Sequence, residues 1–186
     1  MEFLRKHKTL VLCAIPILLT FILCNFVFML VVVPTESMEP AIPAGSLVIC
    51  RRVNWFTKIR RGEIIVFTHE GEPGVKDQYI KRVIGIPGDI ITYTKKYFAV
   101  TGTLLHPEEF MQPDSGDNYL ADDLFMEENE YFVMGDNRAN SKDSRNWTNK
   151  QVLRKNIKAV AIAIYIPEGD QKLVRLQIPE AFSIYP

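Results

Sequence analysis

The chain has 186 residues, with 22 Lys+Arg against 22 Asp+Glu and a formal net charge of zero. That balance excludes a generally basic nucleic-acid binder and an acidic disordered chain, and a hydrophobic content of 47% excludes disorder more firmly. The average joins unlike parts: residues 9–33 hold 21 apolar residues in 25 and no charge, and without them the content falls to about 41%, ordinary for a soluble domain.

The first predicted element is that apolar segment, Thr9 to Val33. As a helix, 25 residues rise about 37 Å, enough to cross ~30 Å of hydrocarbon with some tilt. Pro16 and Asn25 are tolerated in such a span, and Pro16 is expected to kink it. Arg5, Lys6 and Lys8 precede it with one acid, Glu2. The positive-inside rule then keeps residues 1–8 in the cytoplasm and puts residues 34–186 on the far face. The alternative is a cleaved secretory signal, whose apolar core runs about 7–15 residues to a small-residue site. This segment ends in Val31-Val32-Val33-Pro34 and fits an uncleaved anchor better. The expectation is a single-pass protein of the cytoplasmic membrane, with membrane lipid as one partner.

Short β-branched runs follow at 46–50, 63–68, 78–84, 89–94, 130–134 and 157–166, separated by Pro-Ala-Gly, Arg-Gly, Glu-Pro-Gly, Pro-Gly-Asp and Gly-Asp-Asn. This punctuation predicts a mostly β, antiparallel domain over 34–186. The run 157–166 is helical by composition, but Ile157, Ala159, Ala161 and Ala163 alternate with larger residues and Pro167 closes it, which favours a strand. Residues 51–61 gather five basic residues around Trp55 and Phe56 and read as a hairpin loop, either ordinary or touching anionic headgroups. Residues 97–137 carry no Lys or Arg and read as an acidic surface insertion. Cys50 is alone outside the apolar segment, which excludes a disulfide within the outer domain. His7, His69 and His106 lie too far apart for a zinc pattern, so neither metal nor cofactor is expected.

Three clusters carry chemistry. Ser37 sits between Pro34-Thr35-Glu36 and Met38-Glu39-Pro40, in a constrained turn; alone, such a serine does no more than bond locally. On a strand over Tyr79–Val83, Lys81 shares one face with Tyr79 and Val83, and Arg82 shares the other with Ile80 and Ile84. Lys81 is either an exposed edge charge or a lysine among apolar groups. Burial would bring its amine from ~10.4 toward 7–8, low enough to deprotonate a hydroxyl. The third cluster, Gly135-Asp136-Asn137-Arg138-Ala139-Asn140-Ser141-Lys142-Asp143-Ser144-Arg145, is either a loop of exposed ion pairs or a polar scaffold.

In order and spacing these clusters, with the weaker Arg61-Gly-Glu-Ile-Ile-Val-Phe67, resemble the bacterial type I signal peptidases over roughly residues 9–167. The resemblance implies a membrane-anchored serine endopeptidase that removes signal peptides from secreted preproteins after an Ala-x-Ala type site. It implies Ser37 as nucleophile and Lys81 as neutral general base, a Ser-Lys dyad without His or Asp. It further implies Ser141 as the hydroxyl that hydrogen-bonds and orients the lysine amine, and Thr35 with the Ser37 N–H as oxyanion donors. Asp143 and Arg145 are implied as a structural ion pair, and Asp136 as a partner for Arg82 behind the base. Met38, Tyr79 and Ile80 are implied to line pockets for substrate side chains at −1 and −3. The chain departs from the family pattern at Ala41, at Glu63 and in Asn146-Trp147-Thr148-Asn149, where a glycine is usual. Two other readings compete. A self-cleaving repressor-type peptidase shares the dyad but is cytoplasmic and carries a DNA-binding segment. A silent membrane-anchored β module would not need Ser37, Lys81 and Ser141 together.

Overall fold

The computed structural model describes residues 8–22, 26–72, 74–93, 98–105, 123–167 and 171–182. Residues 1–7, most of the acidic stretch 108–130 and parts of the tail 168–186 lie outside them. Helix α1 spans Lys8–Ile22 and contains Pro16. Leu12, Ile17, Leu18 and Leu19 are exposed on it. Among the described residues no helix is long and apolar enough to cross a membrane.

The helix expected over 9–33 does not reach its C-terminal end as a helix. Phe28–Val32 form strand β1, antiparallel to β2 (Leu47–Arg52), with Phe28 opposite Arg51 and Val32 opposite Leu47. Exposure alternates along β1, and Met29 and Val31 pack on the core. Composition could not mark this change, because a lipid-facing helix and a strand on an apolar core are both written in Phe, Leu and Val.

The remaining strands are β3 (Ile64–Glu72), β4 (Val75–Gly85), β5 (Ile90–Tyr93), β6 (Phe98–Val100), β7 (Thr103–Leu105), β8 (Leu124–Phe125), β9 (Glu130–Met134), β10 (Val152–Leu153), β11 (Ile157–Ile166) and β12 (Lys172–Arg175). The domain is mostly antiparallel β, as its punctuation predicts, and each of the six expected runs lies on a strand. The larger sheet runs β1-β2-β11-β3-β4-β9-β10, with β12 also on β11; a second sheet runs β7-β6-β5-β8. Strand β11 lies between β2 and β3, so residues 53–63 form a crossover and not the expected hairpin.

Two features position the site. Pairing of β3 with β4 puts Lys81 opposite Ile65 and Arg82 opposite Ile64, so the basic residues are held in a central ladder. Strand β9 pairs with β4 only from Arg82 to Gly85, which leaves that side of Gln78–Ile80 outside the β9 ladder. One core cluster around Val33, Met38, Ile42, Val48 and Ile80 lies beneath the end of β1. Another joins Phe67, Val133, Trp147 and Val160 beneath β3, β9 and β11.

Candidate active site

Ser37 is placed by a short 3-10 turn, Glu36–Met38, directly after the end of β1. Met38 is fully buried and packs with Val33, Ile42 and Val48, so the turn is pinned to the core through the neighbour of the serine. This differs from the expected place of Met38 on a pocket wall: its side chain lies under the groove, because the turn needs an apolar anchor. The Ser37 carbonyl accepts from the Asn137 N–H at 3.2 Å, which joins the first cluster to the third.

Lys81 reaches this turn from β4, with Nζ 2.7 Å from Ser37 Oγ. Both are buried, Ser37 at 8% and Lys81 at 4% exposure. Burial lowers the Lys81 amine from 10.5 to about 8; Asp143 and then Asp136 oppose this by charge, and Arg145 adds to it. The alternative of an exposed edge lysine is therefore excluded. Thr35 Oγ1 lies 3.2 Å from Ser37 Oγ, and the Thr35 side is open to solvent.

The third cluster is a scaffold, not a loop of surface pairs. Asp143 is fully buried and accepts at 2.8 Å from Arg145 Nε, at 2.9 Å from the Gly135 N–H and at 2.8 Å from Ser141 Oγ. Burial alone would raise its carboxyl; the Arg145 guanidinium, the Gly135 N–H and the Ser141 hydroxyl outweigh that and hold it below the usual carboxylate range. Arg145 also donates to the Arg138 carbonyl at 2.8 Å. Ser144 closes the loop onto β9 through its bonds to the Val133 backbone. The hydroxyl of Ser141 donates to Asp143, and no hydrogen bond joins it to the lysine amine, unlike the expected direct contact. Ser141 and Lys81 nevertheless share the walls of one groove.

Arg82 and Asp136 form the expected pair behind Lys81, with Arg82 Nε 2.8 Å from one carboxylate oxygen and Nη2 2.5 Å from the other. Arg82 Nη1 also donates to the Gly62 carbonyl at 2.7 Å. Sequence reasoning missed a second buried pair, Arg61 with Asp89, at 2.7 and 2.8 Å. Both residues belong to the recognised motifs, but 28 positions separate them and nothing local connects them. It also missed Gly135. A Cβ there would overlap Ser141 Oγ and the Ser37 carbonyl, so the two clusters meet over a residue that must lack a side chain.

A groove of about 970 Å³ runs along this constellation. Val31–Ser37 line one side, Asp77–Lys81 another and Ala139–Lys142 the rest. Tyr79 and Ile80 lie on its wall. Tyr79 stacks on Phe67 at 5.9 Å and packs against Trp147 at 5.1 Å. Trp147 stands in the segment that departs from the family pattern, and there it fills the core and covers the buried His69 at 4.3 Å. His69 Nε2 lies 2.9 Å from the Asn149 carbonyl, a structural partner.

The family model for signal peptidase, peptidase S26, matches residues 6–166. The chain belongs to the type I signal peptidases. It is accordingly a serine peptidase of this family. The signal peptidase I of Bacillus amyloliquefaciens is 33% identical over 151 residues, covering 74% of this chain and 78% of that protein. Signal peptidase I S of Bacillus subtilis is 32% identical over 151 residues, covering 74% and 79%. Signal peptidase I of Pseudomonas aeruginosa is 28% identical, covering 77% and 66%. A solved signal peptidase I of Enterococcus faecalis aligns at 25% identity and a TM-score of 0.43, over 56% of this chain and 97% of that one.

Proposed function

We propose that the chain cleaves signal peptides from preproteins with a Ser37–Lys81 dyad, after a small-x-small site of the Ala-x-Ala kind. The observation that carries this reading is the 2.7 Å approach of a buried lysine amine to a serine hydroxyl in an open groove. With pKa about 8, a sizeable share of the Lys81 amine is neutral at mildly alkaline pH and accepts the Ser37 proton. Ser37 Oγ then attacks the scissile carbonyl carbon. The Thr35 hydroxyl and the Ser37 N–H stabilise the developing oxyanion, a contribution of about 100–1000-fold per donor. As the C–N bond breaks, Lys81 returns the proton to the leaving amine. Water, deprotonated by Lys81 in its turn, hydrolyses the ester, releases the signal peptide carboxylate and restores Ser37. Asp143 and Arg145, with Ser141, hold the wall facing the amine, and Arg82 with Asp136 holds its strand.

An extended substrate fits this groove by adding to the side of Gln78–Ile80 that β9 leaves free, with backbone bonds supplying affinity. Side chains at −3 and −1 point the same way, since they lie one strand period apart. Tyr79 and Ile80 form the wall they meet, with Met38 beneath.

The apolar helix is the membrane anchor in this reading, with the N-terminus in the cytoplasm and residues 34–186 outside. Two features support it: its exposed leucines and isoleucines, and the basic residues before it. The outer face of the neighbouring sheet continues that apolar character. Leu30 and Val32 on β1 stand in register with Ile49 and Leu47, and on through Tyr165 to Leu173. Leu30, Val32 and Leu173 are exposed. This face seats the groove at the lipid surface, where cleavage sites emerge.

The test is to incubate detergent-solubilised full-length chain with a labelled preprotein. Cleavage after the Ala-x-Ala site that vanishes in Ser37→Ala is expected. Equal cleavage by Ser37→Ala, or none by the wild-type chain, contradicts the reading.

A further inference from the structure

Trp55 and Phe56 are the two corner residues of a tight turn, and they are 93% and 67% exposed. Burying an aromatic side chain is among the largest gains open to a folding chain, so two adjacent ones held in water call for a reason. The turn is not loose. The Thr57 N–H bonds the Asn54 carbonyl at 3.2 Å, and the Thr57 hydroxyl bonds Asn54 Oδ1 at 2.5 Å. Arg154 Nη2 clamps both ends from outside, at 2.8 Å from the Asn54 carbonyl and 2.9 Å from that of Thr57. The two rings meet edge to face at 5.3 Å. The molecule builds a rigid presentation of exposed aromatic surface.

Its place in the fold indicates what meets it. The turn follows the end of β2, where Arg51 pairs with Phe28, the first residue of β1. Arg52 Nε bonds the Phe28 carbonyl at 3.2 Å. The Val53 N–H bonds the Lys158 carbonyl at 2.9 Å, so the chain is still on the sheet one residue past β2. The turn therefore stands at the end of the sheet where the chain arrives from the apolar helix. Arg52, Lys58 and Arg60, all exposed, flank it along the chain, and exposed Lys155 adjoins the clamping Arg154. Glu63, whose carboxylate accepts from the Arg60 N–H at 2.9 Å, is the acidic group on this segment. Aromatic rings flanked by cations match the headgroup zone of a bilayer with anionic lipid: the rings enter the interface, and the cations face the surface charge.

We propose that the Asn54–Thr57 turn is a further membrane contact, a foot that binds anionic lipid through Trp55 and Phe56 with Arg52, Lys58 and Arg60. It rests on the reading of the apolar helix as an anchor. With the helix and the apolar β1 face, a contact at this end of the sheet restricts the domain's tilt on the bilayer.

The chain has two tryptophans, and the other, Trp147, is 3% exposed. Trp55 is thus a built-in probe. The full-length protein is reconstituted into phosphatidylcholine vesicles, with and without phosphatidylglycerol, carrying brominated acyl chains near the headgroup. Retention after alkaline carbonate washing tests the anchor separately. The expected result is loss of the Trp55 share of the emission in anionic brominated vesicles. That loss should disappear in Trp55→Phe, shrink in Phe56→Ser and shrink in Lys58→Gln/Arg60→Gln, all with full carbonate retention. Trp55 emission that brominated lipid leaves untouched and aqueous iodide quenches, in a chain the vesicles retain, overturns the proposal. Equal quenching in neutral and anionic vesicles overturns the assignment to anionic lipid.

Discussion

Replacing Lys81 by methionine is expected to lower turnover of a preprotein by about 100–10,000-fold, the usual range for removing a positioned general base. Methionine keeps the length and apolar stem of the lysine but has no proton acceptor for Ser37 at 2.7 Å. The loss cannot be blamed on unfolding. The folded pKa of Lys81, about 8, lies below its ordinary 10.5. The folded chain therefore binds fewer protons than the unfolded chain between those values, and stability rises with pH across that window. Below pH 8 the amine is charged in both states, and its burial is a standing cost that Lys81→Met removes. The variant should thus be inactive yet at least as resistant to denaturation as the wild type near neutral pH. Steady-state cleavage of a labelled preprotein, with an unfolding midpoint on the same preparation, checks both halves. Activity within about tenfold of wild type would remove lysine from the proton relay.

The second large effect concerns stability. Arg82→Leu should destabilise the domain by about 3–5 kcal/mol, because it leaves the Asp136 carboxylate buried without its counter-charge. It also removes the donor to the Gly62 carbonyl. That loss is a large part of the roughly 5–15 kcal/mol that holds a typical domain folded. Activity should fall with it, since Asp136 lies between Gly135, packed on Ser141, and Asn137, bonded to the Ser37 carbonyl. The double substitution Arg82→Leu/Asp136→Leu should recover most of the stability, as a matched apolar pair avoids the stranded charge. Urea unfolding of the full-length chain in micelles, followed by emission of the buried Trp147, measures this. An unchanged midpoint for Arg82→Leu would mean that the pair carries no net stability.

Those charges divide into what the sequence disclosed and what it withheld. The Asp143–Arg145 and Arg82–Asp136 pairs were expected because the family resemblance of their motifs implies them, although Arg82 and Asp136 stand 54 positions apart. The antiparallel β class was legible because Gly, Pro and Asp punctuate β-branched runs, and β11 was legible from alternation despite its alanines. Strand β1 was not, since an apolar run has no internal mark where helix yields to strand. The Arg61–Asp89 pair and the close approach at Gly135 were hidden because the resemblance implied no role for these residues and only the fold brings them to their partners. The hydroxyl of Ser141 was expected on the lysine and lies instead on Asp143, two residues away. A motif identifies the residues of a scaffold, but which hydrogen bond each makes is set by the fold: the Ser141 proton goes to the buried Asp143 carboxylate and the Lys81 amine to Ser37.

The central claim is that a lysine made neutral by burial activates Ser37, and its most direct test is the pH dependence of kcat/KM for a preprotein. Because the neutral amine is the active form, activity should rise with pH through an apparent pKa near 8, the value burial imposes on Lys81, and level off above it. A profile that is flat across this region, or that falls as pH rises through it, would contradict a neutral Lys81 as the base.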